Sequence, residues 1–286
     1  MKPTIGWIGL GTMGIPMSKR ILEAGYPLLV YNRTKGKEMA FTGHLIPVAL
    51  TPSDLIKQSE MIVIMVSDDT AIRDIFSGPV GLLSAGVSDR IIINMSTVSP
   101  EISREMAGLC LEQGNRYLDA PVSGSVKQAE TGTLVVMVGG EEAAFEQAKP
   151  VLDILSKLTL RVGSTGAGNS AKLAVNTLLA IISQGLAEVV LFAKDNAIEP
   201  DDLLNILDNS AMGNIYMKIK GDAILQNNYR AAFALTHIAK DLRLAREIGL
   251  NSPLGVTVSK TFQDAEGEYG DEDIISVMKK LEKENE

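Results

Sequence analysis

The sequence predicts an α/β domain built on a doubly wound, mainly parallel sheet, followed by an all-α domain. Three observations carry that expectation. Up to about residue 162, short runs rich in β-branched residues alternate with amphipathic stretches. From Gly163 onward those runs stop and helical patterning takes over. A loop holding three glycines follows the first run directly and opens a helical segment. Strand–helix alternation of this kind places helices on both faces of a parallel sheet, because each parallel crossover brings a covering helix with it.

Strands are expected at 4–8, 28–31, 61–65, 91–94, 116–119, 134–138 and 158–162, with amphipathic helices such as 17–24, 70–75 and 100–112 between them. Beyond Gly163, helical patterning covers 168–196, 200–209, 236–249, 253–267 and 271–283. Pro200-Asp201 and Asp271 stand as helix starts, where proline and aspartate are favoured. The domains are then 1–162 and 163–286, without repeats or low-complexity tracts.

Composition narrows the function classes. A chain of 286 residues has room for about two domains, and 45% hydrophobic with 22% charged residues excludes wholesale disorder. With 27 basic against 35 acidic side chains, the net charge of -8 counts against a general nucleic-acid binder, which needs a basic face. Cys110 is the single cysteine, so no intramolecular disulfide forms, which fits a reducing compartment. His44 and His237 are too few and too far apart for a multi-histidine metal site, and no metal is expected. Lys2 precedes an apolar run at 5–10, but the run is too short for a signal peptide and Gly9 and Gly11 break it. The apolar stretch 173–193 is interrupted by Asn176, Gln184 and Glu188 and reads as a buried helix rather than a membrane span. The expectation is a cytoplasmic protein with no membrane and no nucleic-acid partner.

The run at 4–8 leads into Gly9-Leu10-Gly11-Thr12-Met13-Gly14. The first glycine permits a tight turn, the second lets a pyrophosphate approach the backbone, and the third lets helix and strand pack closely. The helix N-terminus then faces the anion. Such glycines also mark any tight strand-to-helix turn. Here the strand–loop–helix context favours dinucleotide binding. At the end of the second run, Tyr31-Asn32-Arg33-Thr34 stands where an NAD site usually carries an acid for the ribose hydroxyls. No Asp or Glu occurs between Leu28 and Lys37. Arg33, with Lys35 and Lys37 nearby, could hold a 2′-phosphate, so NADP(H) is favoured over NAD, against the plainer reading of a solvated basic loop.

Three further segments carry candidate chemistry. Gly163-Ser164-Thr165-Gly166-Ala167-Gly168 opens a helix on which Lys172, Asn176 and Ser183 share one stripe among Leu, Ile, Val and Ala. A lysine there must find a cavity, an anion or solvent. Desolvation disfavours the ammonium and so suits a proton donor, whereas a snorkelling lysine at a helix end is the plainer reading. Asp119-Ala120-Pro121-Val122-Ser123-Gly124-Ser125 follows a strand where a doubly wound sheet opens its crevice. N–H groups around Gly124 and the Ser123 and Ser125 hydroxyls would suit a carboxylate, though such a segment is often only a turn. Phe233 to Asp241 includes His237 and the pair Lys240-Asp241, ordinarily an exposed helical pair.

Together these motifs resemble the β-hydroxyacid dehydrogenase family over essentially the whole chain. The resemblance rests on 9–17, Asn32-Arg33-Thr34, 119–124, the Gly168…Lys172…Asn176 helix and Lys240-Asp241. It implies a Rossmann-type NADP-binding domain and a long interdomain helix. It also implies a helical domain that mediates oligomerisation, as a homodimer or homotetramer. It implies an oxidoreductase acting on CH–OH, with Lys172 as general acid/base and Asn176 orienting the reacting oxygen. Ser123 and Gly124, with Ser125 beside them, would hold the substrate carboxylate. The glycine loop from Gly9 to Gly14 (Leu10, Gly11, Thr12 and Met13 between), Asn32, Arg33, Thr34, Val66, Ser67, Thr97, Phe233 and Lys240 would contact the cofactor.

Departures matter as well. Ser125 and Gln128 stand where many members have glycine, and Val66-Ser67-Asp68 where many read Leu-Pro-Asp or Leu-Pro-Asn. With Ala129-Glu130, these look more like the glyoxylate/succinic semialdehyde reductase branch. The expected substrate is a small carboxylate-bearing aldehyde or hydroxyacid. 3-Hydroxyisobutyrate or tartronate semialdehyde oxidation and reduction are the alternatives. An imine reductase commonly carries another residue in place of Lys172. A non-catalytic scaffold would lose that lysine and add basic or reader segments.

Overall fold

The computed structural model describes residues 2–41 and 46–285, so His44 lies outside the described residues. The chain divides into two compact units, Met1–Lys172 and Leu173–Glu286.

The first unit is organised on one sheet of β1 (Ile5–Ile8), β2 (Leu28–Tyr31), β3 (Met61–Ile64), β4 (Ile91–Asn94), β5 (Arg116–Asp119), β6 (Val122–Ser123), β7 (Leu134–Gly140) and β8 (Ser156–Gly163). The strand order is β2-β1-β3-β4-β5-β7-β6, with β8 paired to β7. β1 to β5 pair in parallel, and Ile5 lies opposite both Leu28 and Met61. β7 runs antiparallel to β5 and β6 and parallel to β8. The chain leaves β1 for β2 on one side and returns to β3 on the other. A ligand crevice in such a sheet opens beyond the carboxyl ends of strands at that switch.

β1, β3 and β4 are buried along their whole length, which explains their near-continuous apolar sequences. The covering helices are α1 (Gly14–Glu23), α2 (Pro52–Lys57), α3 (Asp69–Phe76), α4 (Pro100–Glu112), α5 (Val126–Thr131) and α6 (Glu142–Leu155). Trp7, Val63 and Ile93 pack with Met17 and Ile21 of α1 and Phe145 and Val151 of α6. Ile62, Ile64 and Ile92 face the other way, onto Leu55 of α2, Phe76 of α3 and Met106 of α4. Side-chain caps fix three helix starts: Thr51 accepts from Asp54 N–H, Asp68 from Ala71 N–H and Ser99 from Ile102 N–H.

The long helix α7 (Ala167–Asp195) carries the chain from the first unit into the second. By length and composition it could cross a membrane, yet half of its apolar stretch is buried. Its polar residues also bond within the chain, Ser183 to Tyr216 and Gln184 to Glu188. The second unit continues with α8 (Pro200–Asp208), α9 (Ile215–Leu225), α10 (Leu235–Glu247), α11 (Pro253–Tyr269) and α12 (Val277–Asn285). Leu186 and Val190 of α7, Ile238 and Leu242 of α10 and Phe262 of α11 form its core with Ile274 and Ile275.

One sequence expectation is corrected, and three elements stand outside those expected. The last helical segment does not start at Asp271: Asp273 caps a short 3₁₀ turn, Ile274–Ser276, ahead of α12. α6 is not among the helices named from sequence, and it holds Pro150 inside it, which removes one backbone donor from the ladder. α9 was missed because its pattern is inverted, with Lys220 buried and Ile215 80% exposed. β6 is only two residues long.

Candidate active site

The glycine loop separates into positions the fold requires and one it does not. Gly9 has φ +99°, and a Cβ there would lie 2.1 Å from the Met65 carbonyl oxygen at the end of β3. A Cβ on Gly14 would lie 2.0 Å from the Gly9 carbonyl oxygen, so α1 starts against the turn itself. Trp7 Nε1 donates to that same carbonyl at 3.0 Å. Gly11 is different: a Cβ there meets nothing within 4 Å, and its φ lies outside the left-handed region. No contact inside the chain calls for glycine at 11. The open backbone beside the N-terminus of α1 therefore fits the pyrophosphate of a dinucleotide.

The loops after neighbouring strands are tied to this one. Asn32 Oδ1 accepts the Leu10 N–H at 2.9 Å and its Nδ2 donates to the Thr34 carbonyl at 2.7 Å, so Asn32 joins the loops after β1 and β2. Arg33, Thr34, Lys35 and Lys37 are exposed beyond β2. Val66 N–H donates to Ser96 Oγ at 2.9 Å, and Ser96 N–H donates to Asn94 Oδ1 at 3.0 Å. Ser67 donates to Asp68 Oδ2 at 2.6 Å, while Asp68 Oδ1 caps α3. Thr97 is half-buried between Ser96 and Val98.

At the other predicted segment, Gly124 is exposed with φ +138°, where a Cβ would meet Leu134 at 2.7 Å. Ser125 N–H and its hydroxyl both donate to Gln128 Oε1, at 2.9 and 2.5 Å. Gln128 thus reaches back to the residue before α5, as in a capping box, and also accepts a hydrogen bond from the Ser125 hydroxyl. Both positions where this chain departs from glycine belong to one hydrogen-bonded pair. Ser123 is half-buried on β6.

Lys172 and Asn176 lie one turn apart on α7, 8% and 2% exposed. Asn176 Nδ2 donates to Asp241 Oδ2 at 2.6 Å. A carboxylate only accepts, so the amide nitrogen must face it, which turns Asn176 Oδ1 away from Asp241. Lys240 Nζ lies 3.3 Å from Asp241 Oδ1. Lys240-Asp241 is therefore not the exposed pair its sequence suggests: the acid is buried against α7. Phe233 stacks on His237 with ring centroids 6.1 Å apart. Partial desolvation, and after it the Lys240 ammonium, push the His237 imidazole below its ordinary pKa, with Asp241 opposing. Phe233 N–H and Ala232 N–H point to Asp273 Oδ2, at 3.4 and 3.0 Å, while Lys220 Nζ donates to Asp273 Oδ1 at 2.6 Å.

Comparison with known proteins decides the family. Residues 4–166 match the model for the NAD-binding domain of 6-phosphogluconate dehydrogenase. Residues 166–281 match that for the NAD-binding domain of NADP-dependent 3-hydroxyisobutyrate dehydrogenase. Glyoxylate/succinic semialdehyde reductase 1 of Arabidopsis thaliana is 33% identical over 96% of this chain and 96% of its own length. The chain belongs to the β-hydroxyacid dehydrogenase family. 2-(Hydroxymethyl)glutarate dehydrogenase of Eubacterium barkeri is 34% identical over 96% of this chain and 93% of its own. The Mycobacterium tuberculosis 3-hydroxyisobutyrate dehydrogenase, solved with L-serine, superposes with a TM-score of 0.89 at 26% identity, covering 98% of this chain and 99% of that one.

As a β-hydroxyacid dehydrogenase the chain is a nicotinamide-dependent oxidoreductase acting on a CH–OH group. In the first unit the side-chain oxygens of Asn32 and Ser96 accept backbone N–H groups and so link the loops after β1 and β2, and those after β3 and β4. In the second unit Asn176, Lys240 and Asp241 come together, and Asp273 holds the segment bearing Phe233. Sequence reasoning assigned no role to Asp241, Asp273 or the buried Asp119. The only signals were an acid beside Lys240 and an acid at the end of a strand.

Proposed function

We propose that this β-hydroxyacid dehydrogenase is an NADPH-dependent reductase that interconverts small aldehyde-acids and their hydroxyacids, with glyoxylate and succinic semialdehyde as leading substrates. The observation that carries the reading is the buried pair Lys172 and Asn176, one turn apart on α7, with the amide held by Asp241. When bound, the reduced nicotinamide supplies a hydride to the carbonyl carbon. Lys172, as ammonium, donates its proton to the carbonyl oxygen; in the oxidative direction the neutral amine takes the hydroxyl proton back. Asn176 orients that oxygen. Ser123 and Gly124 hold the substrate carboxylate.

Gly9 to Gly14, with Gly11 leaving the backbone open, hold the cofactor pyrophosphate. Arg33 holds the 2′-phosphate, supported by its exposure beyond β2 and by the absence of an acid between Leu28 and Lys37. The Arabidopsis relative's name and the Ser125–Gln128 pair support the substrate choice.

Lys172→Ala tests the assignment. Turnover should fall by about 10²–10⁴-fold, the usual worth of general acid–base catalysis, while NADPH binding stays close to wild type. Retained turnover would remove Lys172 from the role. The substrate is tested by NADPH oxidation against glyoxylate, succinic, methylmalonate and tartronate semialdehydes. Cyclic imines are run in parallel, and turnover of imines alone would sink the reading.

A further inference from the structure

We propose that Asp119 and Asn169 form a positioning node that sets the first turn of α7 and so places Lys172. The proposal rests on the reading of Lys172 as proton donor. Asp119 is fully buried at the end of β5, and each carboxylate oxygen accepts one backbone N–H from the start of α7. Gly166 donates to Oδ1 at 2.7 Å and Asn169 to Oδ2 at 2.8 Å. These are donors that a helix start leaves without intrahelical partners, so the carboxylate acts as a cap supplied from 47 and 50 residues away.

The surroundings are cleared for this acid. A Cβ on Gly139 would lie 2.4 Å from Asp119 Oδ1, and one on Gly168 would lie 2.4 Å from the Asp119 carbonyl oxygen. Two glycines on separate elements thus leave room for one residue. Burial raises the carboxyl to about 6, against the backbone N–H groups of Asn169, Gly166 and Gly168, which pull it down. The group is therefore largely ionised at neutral pH, the form that accepts both bonds.

Asn169 extends the node. Its Oδ1 accepts the Val98 N–H at 3.0 Å and its Nδ2 donates to Ser103 Oγ at 3.2 Å. The helix start is thereby registered against the loop that carries Thr97, and through Ser96 against Val66. Lys172 follows Asn169 by three residues, on the adjacent turn. A slip of one residue in this start would move a side chain by about 1.5 Å and turn it by about 100°. Misplacement on that scale costs a reacting group on the order of 100-fold in rate.

Asp119→Asn keeps the size but sets an amide NH₂ against a backbone N–H, so one of the two bonds is lost. Asn169→Ala keeps the backbone bond to Asp119 and removes the link to Val98. Steady-state reduction is read with NADPH and whichever of glyoxylate or succinic semialdehyde the wild type reduces faster. NADPH binding is read from Trp7 fluorescence, and Lys172→Ala is run alongside. Positioning predicts that kcat falls on the order of 10–100-fold for Asp119→Asn. A smaller fall of the same kind is expected for Asn169→Ala, with NADPH affinity and the substrate KM close to wild type in both. Wild-type kcat in a folded Asp119→Asn overturns the node, as does loss confined to KM or to NADPH binding. If Asp119→Asn does not fold, Asn169→Ala decides by the same readouts. Activity retained in Lys172→Ala would instead overturn the proton-donor reading, a separable result.

Discussion

Gly11→Ala is the sharpest test of the nucleotide loop, because the structure separates it from its neighbours. At Gly11 an added methyl meets nothing within 4 Å and the backbone lies outside the left-handed region. The substitution should leave the cofactor-free fold intact and stabilise it by about 0.4–1 kcal/mol, through the lower entropy of the unfolded chain. Gly9→Ala is the internal control. Its Cβ would stand 2.1 Å from the Met65 carbonyl oxygen at φ +99°. The left-handed backbone costs about 1–2 kcal/mol and overpacking about 1–3, so destabilisation of about 2–5 kcal/mol is expected. Trp7 reports on both, being fully buried, bonded to the Gly9 carbonyl and the single tryptophan. Its fluorescence, followed in urea, reads the unfolding of this unit, and its response to NADPH reads binding. Gly11→Ala should unfold no earlier than wild type yet lose at least tenfold in NADPH affinity, about 1.4 kcal/mol. If NADPH binds as tightly as before, the open space is not the cofactor's. If Gly11→Ala unfolds early while Gly9→Ala does not, the steric argument itself is wrong.

The other predictions test separate parts of the molecule. Arg33→Ala should raise the KM for NADPH by about 10–100-fold, the loss of hydrogen bonds to a charged group, and leave that for NADH nearly unchanged; equal effects would contradict the 2′-phosphate assignment. Asp273→Ala strands the Lys220 ammonium, both groups being buried, and should cost about 3–5 kcal/mol in urea unfolding. Lys220→Met added to it should recover part of that loss, and no recovery would show that Asp273 acts through the backbone N–H groups instead. His237 should titrate below the ordinary histidine value in an NMR pH series, since its shift is downward. The sign follows: the folded chain binds that proton more weakly than the unfolded one, so stability falls as pH drops through about 6.5 and below, and His237→Gln should flatten the fall.

Which parts of this molecule could be read from sequence depends on whether a residue's reason for being there is local. Strands such as Ile91–Asn94 were legible because burial on both faces demands an unbroken apolar run, and the run is the signal. α9 was not, because it turns Ile215 outward and buries Lys220, whose partner Asp273 is 53 residues away. The site divides in the same way. Gly9 and Gly14 stand out in sequence because no side chain fits there, while Asp119, Asp241 and Asp273 look like any other acid until their partners are seen. Asn32 and Ser125 show the converse. Both are polar groups at loop ends, and sequence alone offers them to a ligand. In the fold Asn32 bonds to Leu10 N–H and the Thr34 carbonyl, and the Ser125 hydroxyl donates to Gln128. If Ser123 and Gly124 hold the carboxylate as proposed, the Ser125–Gln128 pair sets the stiffness and outline of the loop beside Gly124. A Ser125→Ala variant should therefore shift selectivity between glyoxylate and succinic semialdehyde by no more than Gln128→Ala does, since either change breaks the same pair.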